Sequence, residues 1–150
     1  METTFNDAIA RYNIISNVLI SEGSKELQRD TKIKVVKNRI NLNKAKTEWD
    51  NVISQIAENL STEEYVSLAQ NKNRTNEEEN RFRELDAKIN DEFLEIINEK
   101  ANDKIDINVI YFTEEEFNDI IDLNASHDVV INDNKINSAA FLEMFYNMFC

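Results

Sequence analysis

Two side chains in this sequence have the chemistry of a general base or a nucleophile: His127, the only histidine, and Cys150, the only cysteine. A histidine titrates near neutral pH, but it catalyses proton transfer only where other groups position it. His127 stands in a polar stretch, 124–128, that contains no catalytic motif, so a surface role is expected. Cys150 follows an apolar helical pattern, where a small buried apolar role is expected and only a lowered pKa would make the thiol reactive. We therefore expect no catalytic residues and no enzymatic activity.

Calcium binding is a second chemistry that the residue types suggest, near the end of the chain. Asn132, Asn134 and Glu143 stand at relative positions 1, 3 and 12, as in a calcium-binding loop. Position 5 is Ile136 and position 6 is Asn137, where such a loop needs an oxygen ligand and a glycine. Both departures damage the ligand geometry. We expect no metal site and no cofactor.

Binding of phosphates or of acidic protein surfaces is a third possibility, in the basic segment 25–46. This segment holds eight Lys and Arg residues against two acidic residues. Such charges suit a solvated helix face, a docking surface for an acidic protein, or contacts with nucleic acid phosphates. The net charge of −12 for the whole chain makes nucleic acid the least favoured of the three. Lys32, Lys37 and Lys44 are the candidate interface residues of this segment.

An apolar pattern near the end of the sequence provides a second candidate interface. Phe141, Phe145 and Phe149 recur at four-residue spacing on one face of a predicted helix that begins near Ser138. Such a helix either folds back onto its own domain or inserts into a neighbouring molecule. The first arrangement places the three phenylalanines in the core. The second makes them interface residues, and we treat them as candidates for that role.

The elements that must position these residues are mostly helices. The chain has one glycine, no proline and 41% hydrophobic residues, a composition that favours long helices around a buried core. Apolar residues at three- and four-residue spacing predict six helices. Four cover about 4–22, 31–60, 75–101 and 138–149, and two short ones follow the capping boxes at Ser61 and Thr113.

Two further predictions concern the first two helices, which a short link makes antiparallel neighbours. Gly23 is predicted to be the left-handed C-terminal cap of the first helix, because glycine adopts that conformation without a steric penalty. The apolar stripe of the second helix includes Ile33, Val36, Ile40 and Trp49. Trp49 lies near its centre and is predicted to be the central core residue.

The hydrophobic period changes after residue 104. Residues 105–112 alternate with a period near two and are rich in β-branched and aromatic side chains, which predicts a strand. Residues 129–131 predict a second strand, followed by a polar turn at 132–135. The predicted fold class is therefore mainly α. It has an N-terminal helical hairpin or bundle over 1–102 and a small α+β part over 103–150, packed on it or beside it.

Charge is distributed unevenly along the chain. Residues 1–60 carry a net charge of +1, residues 61–100 carry −5, and residues 101–150 carry −8. Such polarity can steer subunits or partners towards each other. No apolar run approaches the roughly 20 residues that span a membrane, and the first residues lack a secretory signal pattern. We expect a protein drawn from a cytosolic pool, with no membrane partner.

The order of the elements resembles that of a known group of proteins. In sequence it comprises a first helix, the break at Gly23, Lys25–Leu27, a long helix starting at Lys32–Asn38, the run Ile105–Phe112, the helix Phe117–Leu123, a polar turn and Ile136–Leu142. This order resembles small, mostly uncharacterised structural proteins of tailed bacteriophages, found among virion and tail-assembly genes. In those proteins an N-terminal helical hairpin precedes a short β-containing tail with a terminal helix.

The resemblance implies a non-enzymatic structural component of a bacteriophage virion, in the connector or tail region, assembled in the host cytoplasm. Its partners would be other virion proteins and copies of itself in a symmetric assembly. Two other classes stay open. One is a small acidic inhibitor that mimics nucleic acid and binds a host protein, a class that the net charge of −12 favours. The other is a small regulatory or antitoxin-like binding module.

Overall fold

The computed structural model describes all 150 residues. Helices make up 67% of the chain, and three small two-stranded antiparallel sheets make up the β-structure. This confirms the prediction of a mainly α protein with a small α+β part. The helices are α1 (Phe5–Ser16), α2 (Arg29–Leu60), α3 (Glu63–Gln70), α4 (Asn76–Lys100), α5 (Glu114–Asn124) and α6 (Ser138–Phe149).

The six strands are two or three residues long and pair as three separate ribbons. They are β1 (Glu2–Thr4), β2 (Ser21–Glu22), β3 (Lys25–Glu26), β4 (Lys104–Asp106), β5 (Val129–Ile131) and β6 (Asn134–Ile136). β2 pairs with β3 and β5 pairs with β6 as hairpins, whereas β1 pairs with the distant β4. Val129–Ile131 is therefore a strand, as predicted from the sequence.

The residues form two compact units. Unit 1 contains Met1–Thr47 and Lys104–Cys150, and unit 2 contains Glu48–Asp103. This division differs from the predicted boundary between residues 102 and 103, and α2 contributes residues to both units. The physical reason is that the two ends of the chain pack together in unit 1. There β1 pairs with β4, and α1 packs against α6.

The core of unit 1 is built around α6. Phe141, Phe145 and Phe149 are each 0% exposed, so the prediction that they are interface residues is wrong. The helix folds back onto its own unit because aromatic partners are present there. The ring centroid of Phe145 lies 5.1 Å from that of Phe112 and 5.9 Å from that of Phe117. Contacts of this kind add to the hydrophobic stabilisation of the core.

The buried face of α2 differs from the predicted one. The buried residues alternate at four- and three-residue spacing and are Thr31, Val35, Asn38, Leu42 and Ala45. The predicted core residues Ile33, Val36 and Ile40 lie on the opposite side of the helix and are 38%, 38% and 58% exposed. The prediction selected the more apolar stripe, whereas the structure buries one that includes two polar side chains.

One of those polar side chains, Asn38, holds an irregular segment of backbone. Its amide nitrogen donates to the carbonyl oxygen of Ile110 at 2.8 Å, and its carbonyl oxygen accepts from the Ile110 N–H at 2.9 Å. The side chain thus satisfies both backbone groups of Ile110, as a neighbouring strand would. The predicted strand over 105–112 is correspondingly a strand only over Lys104–Asp106, because Asn38 replaces strand pairing further along.

The link between α1 and α2 contains a hairpin that the sequence analysis did not predict. α1 ends at Ser16, and Gly23 adopts a φ of 58° in the turn between β2 and β3 instead of capping α1. The left-handed conformation was predicted correctly, but its structural role was not. Arg39 of α2 donates to the carbonyl oxygens of Ile15 and Val18, so it satisfies backbone acceptors at the end of α1.

The predicted helix starts are mostly confirmed. Thr113 and Glu116 form a complete capping box at the start of α5. The Thr75 hydroxyl accepts from the backbone of α4 in the same way. At α3 the capping residue is Thr62 and not Ser61. These contacts involve residues three positions apart, which is why the sequence alone predicts them.

Unit 2 consists of the second part of α2 together with α3 and α4, and it buries little apolar surface. Leu85 is its only buried hydrophobic residue, at 9% exposure. Trp49 is half-buried, so the prediction that it is the central core residue is wrong. α3 packs against α4, where the Tyr65 ring stacks on Phe82 with centroids 5.5 Å apart. With only three helical segments, unit 2 can bury only a narrow line of apolar side chains, and the residues beside that line stay in contact with water.

Candidate interaction surfaces

Part of the basic segment is already engaged within the chain. Lys32 Nζ lies 2.9 Å from Glu26 Oε1, and Lys34 Nζ lies 2.6 Å from Glu116 Oε2. Burial tends to raise the pKa of the Glu116 carboxyl, but hydrogen bonds from Lys34 and the Thr113 backbone outweigh this and lower it. Of the three lysines predicted as interface residues, Lys32 thus has its charge matched inside its own chain.

Lys37 and Lys44 are exposed and form no ion pair or hydrogen bond within the chain. Arg29, at the start of α2, has the same character. Helical spacing places these three cations on the side of α2 that carries the exposed aliphatic stripe. We define the outer face of α2 as Arg29, Ile33, Val36, Lys37, Ile40 and Lys44. It extends over about 22 Å at 1.5 Å per residue.

The aliphatic part of this outer face was assigned to the core in the sequence analysis. Ile33, Val36 and Ile40 are instead available to a partner, because the opposite stripe fills the core. A signal for this was present in the sequence. The residues at 31, 35, 38, 42 and 45 follow a four-three spacing that continues to Trp49, Val52 and Ile56. α2 therefore carries two stripes, and only one of them is needed to fill the core of unit 1.

A shallow cavity adjoins the outer face beside Ile40. Its volume is ≈ 320 Å³, and it is lined by Tyr12, Ser16, Arg39, Ile40 and Asn43. The lining combines an aromatic ring with hydroxyl and amide groups that can donate or accept hydrogen bonds.

A groove of ≈ 430 Å³ lies elsewhere on unit 1 and has an uncharged lining. The residues that line it are Asn6, Ile9, Ala10, Asn13, Ile14, Ile131, Asn132, Asn134, Ile136, Met144 and Met148. None of these side chains titrates near neutral pH, so the groove offers no general acid, base or nucleophile. The lining of this groove is suited to contacts with uncharged groups.

His127 links two loops of unit 1. Its Nε2 lies 2.6 Å from Glu22 Oε1, which connects the loop after α5 to β2. The contact spans 105 residues of sequence, so it ties distant segments together. This geometry assigns His127 a structural contact with the β2–β3 hairpin.

Cys150 is exposed, in contrast to the predicted buried role. Although the residue as a whole is exposed, its thiol is partly buried, and this desolvation, with a further contribution from the Glu116 carboxylate, raises the pKa of the thiol to about 11. The thiolate is the reactive form, so a raised pKa leaves the thiol protonated and weakly nucleophilic at neutral pH. This environment is the opposite of the one that activates a catalytic cysteine.

We therefore expect Cys150 to react slowly with iodoacetamide at pH 7.5. The rate should be about 10- to 100-fold lower than in the urea-unfolded chain, where the thiol regains an ordinary pKa. The rate should rise with pH until the thiol ionises near pH 11. Alkylation can be followed by intact-mass spectrometry over a pH series. Equal rates in the folded and unfolded chains would contradict the raised pKa.

The segment considered for calcium forms a tight hairpin turn. Asn132 and Asp133 adopt left-handed φ values of 50° and 63°, and the Asn134 amide donates to the Asn132 carbonyl oxygen at 3.1 Å. These groups stabilise the turn between β5 and β6. No group of three or more His, Cys, Asp or Glu side chains is arranged to hold a metal ion.

No helix of the protein combines the length and the apolar character that crossing a membrane requires. Comparison with known protein families, curated proteins and solved structures found no match. Among the surfaces of this chain, the outer face of α2 combines three exposed aliphatic side chains with three cations that have no partner within the chain.

Proposed function

We propose that this protein is a non-enzymatic structural component of a tailed-bacteriophage virion, in the connector or tail region. In this proposal it acts by protein–protein assembly. The observation that carries the proposal is the outer face of α2, where three exposed aliphatic side chains lie among three cations without internal partners. The order of the elements, which resembles that of small phage structural proteins, supports the virion as the setting.

The two sides of α2 have different environments, one buried and one exposed, and this supports an assembly role. Its buried side stabilises unit 1 through Val35, Asn38 and Leu42, so the outer aliphatic residues are not needed for folding. A helix that is held on its inner side between residues 31 and 45 presents the outer side of the same segment as a rigid surface, which lowers the entropic cost of binding. The aliphatic residues would supply most of the affinity, and the cations would orient the partner.

The proposal can be tested by complementing a phage that lacks the gene. We compare wild-type protein with the Ile33→Gln/Ile40→Gln variant, which removes the apolar contacts but keeps good helix formers on the exposed side. Its copy number in purified particles should fall by about tenfold or more. Quantitative mass spectrometry measures the copy number, and circular dichroism should show an unchanged fold.

The matched control is Val130→Gln, because Val130 is 62% exposed and lies on the β5–β6 hairpin, which is not part of the outer face of α2. This control should enter particles at the wild-type level. Normal incorporation of the Ile33/Ile40 variant would remove the outer face of α2 from the assembly interface. Absence of the wild-type protein from purified particles would overturn the structural role.

A second candidate function is the acidic inhibitor that mimics nucleic acid, and the charge of unit 2 favours it. Residues 48–103 hold 15 acidic and 6 basic side chains, a net charge of −9. An inhibitor of this kind would bind a basic host protein as a monomer through unit 2. Substitutions on the outer face of α2 would then leave its binding unchanged, which separates the two functions.

A further inference from the structure

The acidic side chains of α4 differ in their contacts within the chain. Two of them are engaged in unit 2: Glu79 Oε2 lies 2.6 Å from Arg74 Nε, and the Asp86 carboxylate accepts from the Tyr65 hydroxyl at 2.8 Å. Nearer its end, Glu92, Glu95 and Glu99 are exposed and have no ion pair or hydrogen bond within the chain. We call these three residues the acidic row of α4.

The acidic row has the same spacing as the charges on the outer face of α2. Glu92 and Glu99 are seven residues apart on α4, and Lys37 and Lys44 are seven residues apart on α2. Seven residues correspond to two helical turns and a rise of about 10.5 Å. Two helices that pack side by side can therefore bring both carboxylates against both ammonium groups at once.

An apolar group accompanies the charges on α2. Ile40 lies between the two lysines along α2 and is 58% exposed. Charge complementarity would select the partner and its register, and the aliphatic side chains of the outer face of α2 would add buried area.

We infer that the outer face of α2 in one copy of the protein binds the acidic row of α4 in a second copy. This inference rests on the proposed assembly role and names the partner. Two outer faces cannot pair with each other favourably, because that would place lysines against lysines. The contact is therefore between unlike surfaces, and a bound pair still presents one free surface of each kind. Contacts of this type build rings or open filaments.

The test exchanges the charges of the outer face of α2 and of the acidic row of α4 in the full-length chain. Lys37→Glu/Lys44→Glu and Glu92→Lys/Glu99→Lys should each lower the association constant by about tenfold or more. The variant that carries all four substitutions should associate like the wild type, because the attraction is restored with opposite signs. Light scattering and sedimentation at about 50 mM salt measure the association, which should weaken at about 500 mM salt.

The matched control is Lys25→Glu/Lys72→Glu, which has the same net charge as the α2 double variant. Lys25 and Lys72 are exposed and belong neither to the outer face of α2 nor to the acidic row of α4, so this control should associate normally. Circular dichroism of each variant verifies the fold. A wild-type protein that stays monomeric at every concentration, or a fourfold variant that stays monomeric while the control associates, would overturn the inference. Incorporation into particles through the outer face of α2 would still support the proposed function in either case.

Discussion

Phe145→Ala is expected to lower the free energy of unfolding by about 3–5 kcal/mol. The side chain is 0% exposed, and its ring packs against Phe112, Phe117 and Phe149 with centroids 5.1–5.9 Å apart. Truncation removes the hydrophobic contribution of the ring and leaves a cavity that rigid neighbours fill only in part. Urea denaturation followed by far-ultraviolet circular dichroism measures the loss.

Tyr146→Ala is the control for this substitution, since it removes the next aromatic ring of the same helix. Tyr146 is 51% exposed, although its ring also touches Phe117 at a centroid distance of 5.1 Å. We expect the control to cost less than half as much as Phe145→Ala, because a half-exposed ring leaves no closed cavity. Equal losses in the two variants would show that α6 does not bury its phenylalanine face in unit 1.

Asn38→Leu is expected to lower the free energy of unfolding by about 2–4 kcal/mol, although it replaces a polar residue in the core by an apolar one of similar size. The amide of Asn38 satisfies both the N–H and the carbonyl oxygen of Ile110. Leucine cannot replace either hydrogen bond, so two partly buried backbone groups lose their partners. Urea denaturation again measures the loss.

Asn43→Leu makes the same chemical change on the same helix, at an exposed position. Its effect on the free energy of unfolding should stay within about 0.5 kcal/mol. Hydrogen exchange adds a second measurement, because the Ile110 amide proton should lose its protection in Asn38→Leu and keep it in the control. An equally stable Asn38→Leu protein with a protected Ile110 amide would show that the hydrogen bonds are dispensable.

Much of the local structure could be predicted because it depends on neighbouring residues. Thr75 and Thr113 begin helices through contacts within one turn, and these starts are confirmed. The turn at Asn132–Asp133 and the left-handed conformation of Gly23 follow from the residue types. The abundance of helix follows from a chain with one glycine and no proline.

The candidate surface was predicted only in part. Lys37 and Lys44 were selected from the local charge of the basic segment, which needs no tertiary information. Ile33, Val36 and Ile40 were assigned to the core, because a helix with two apolar stripes does not specify from its sequence which stripe is buried. The structure shows that the other stripe is buried, and the three aliphatic residues become part of the surface.

The sequence by itself determined the helical class of this protein, several helix starts and turns, and the positions of its charges. The tertiary structure alone decided which face of α2 is buried and whether Phe141, Phe145 and Phe149 face the core or a partner. The physical reason is that both choices depend on groups far away in the chain. Asn38 finds its partner 72 residues away in Ile110, and Phe112 meets the rings of α6. Such contacts compete by packing and hydrogen bonding in three dimensions, and a periodic pattern within one helix does not contain that competition.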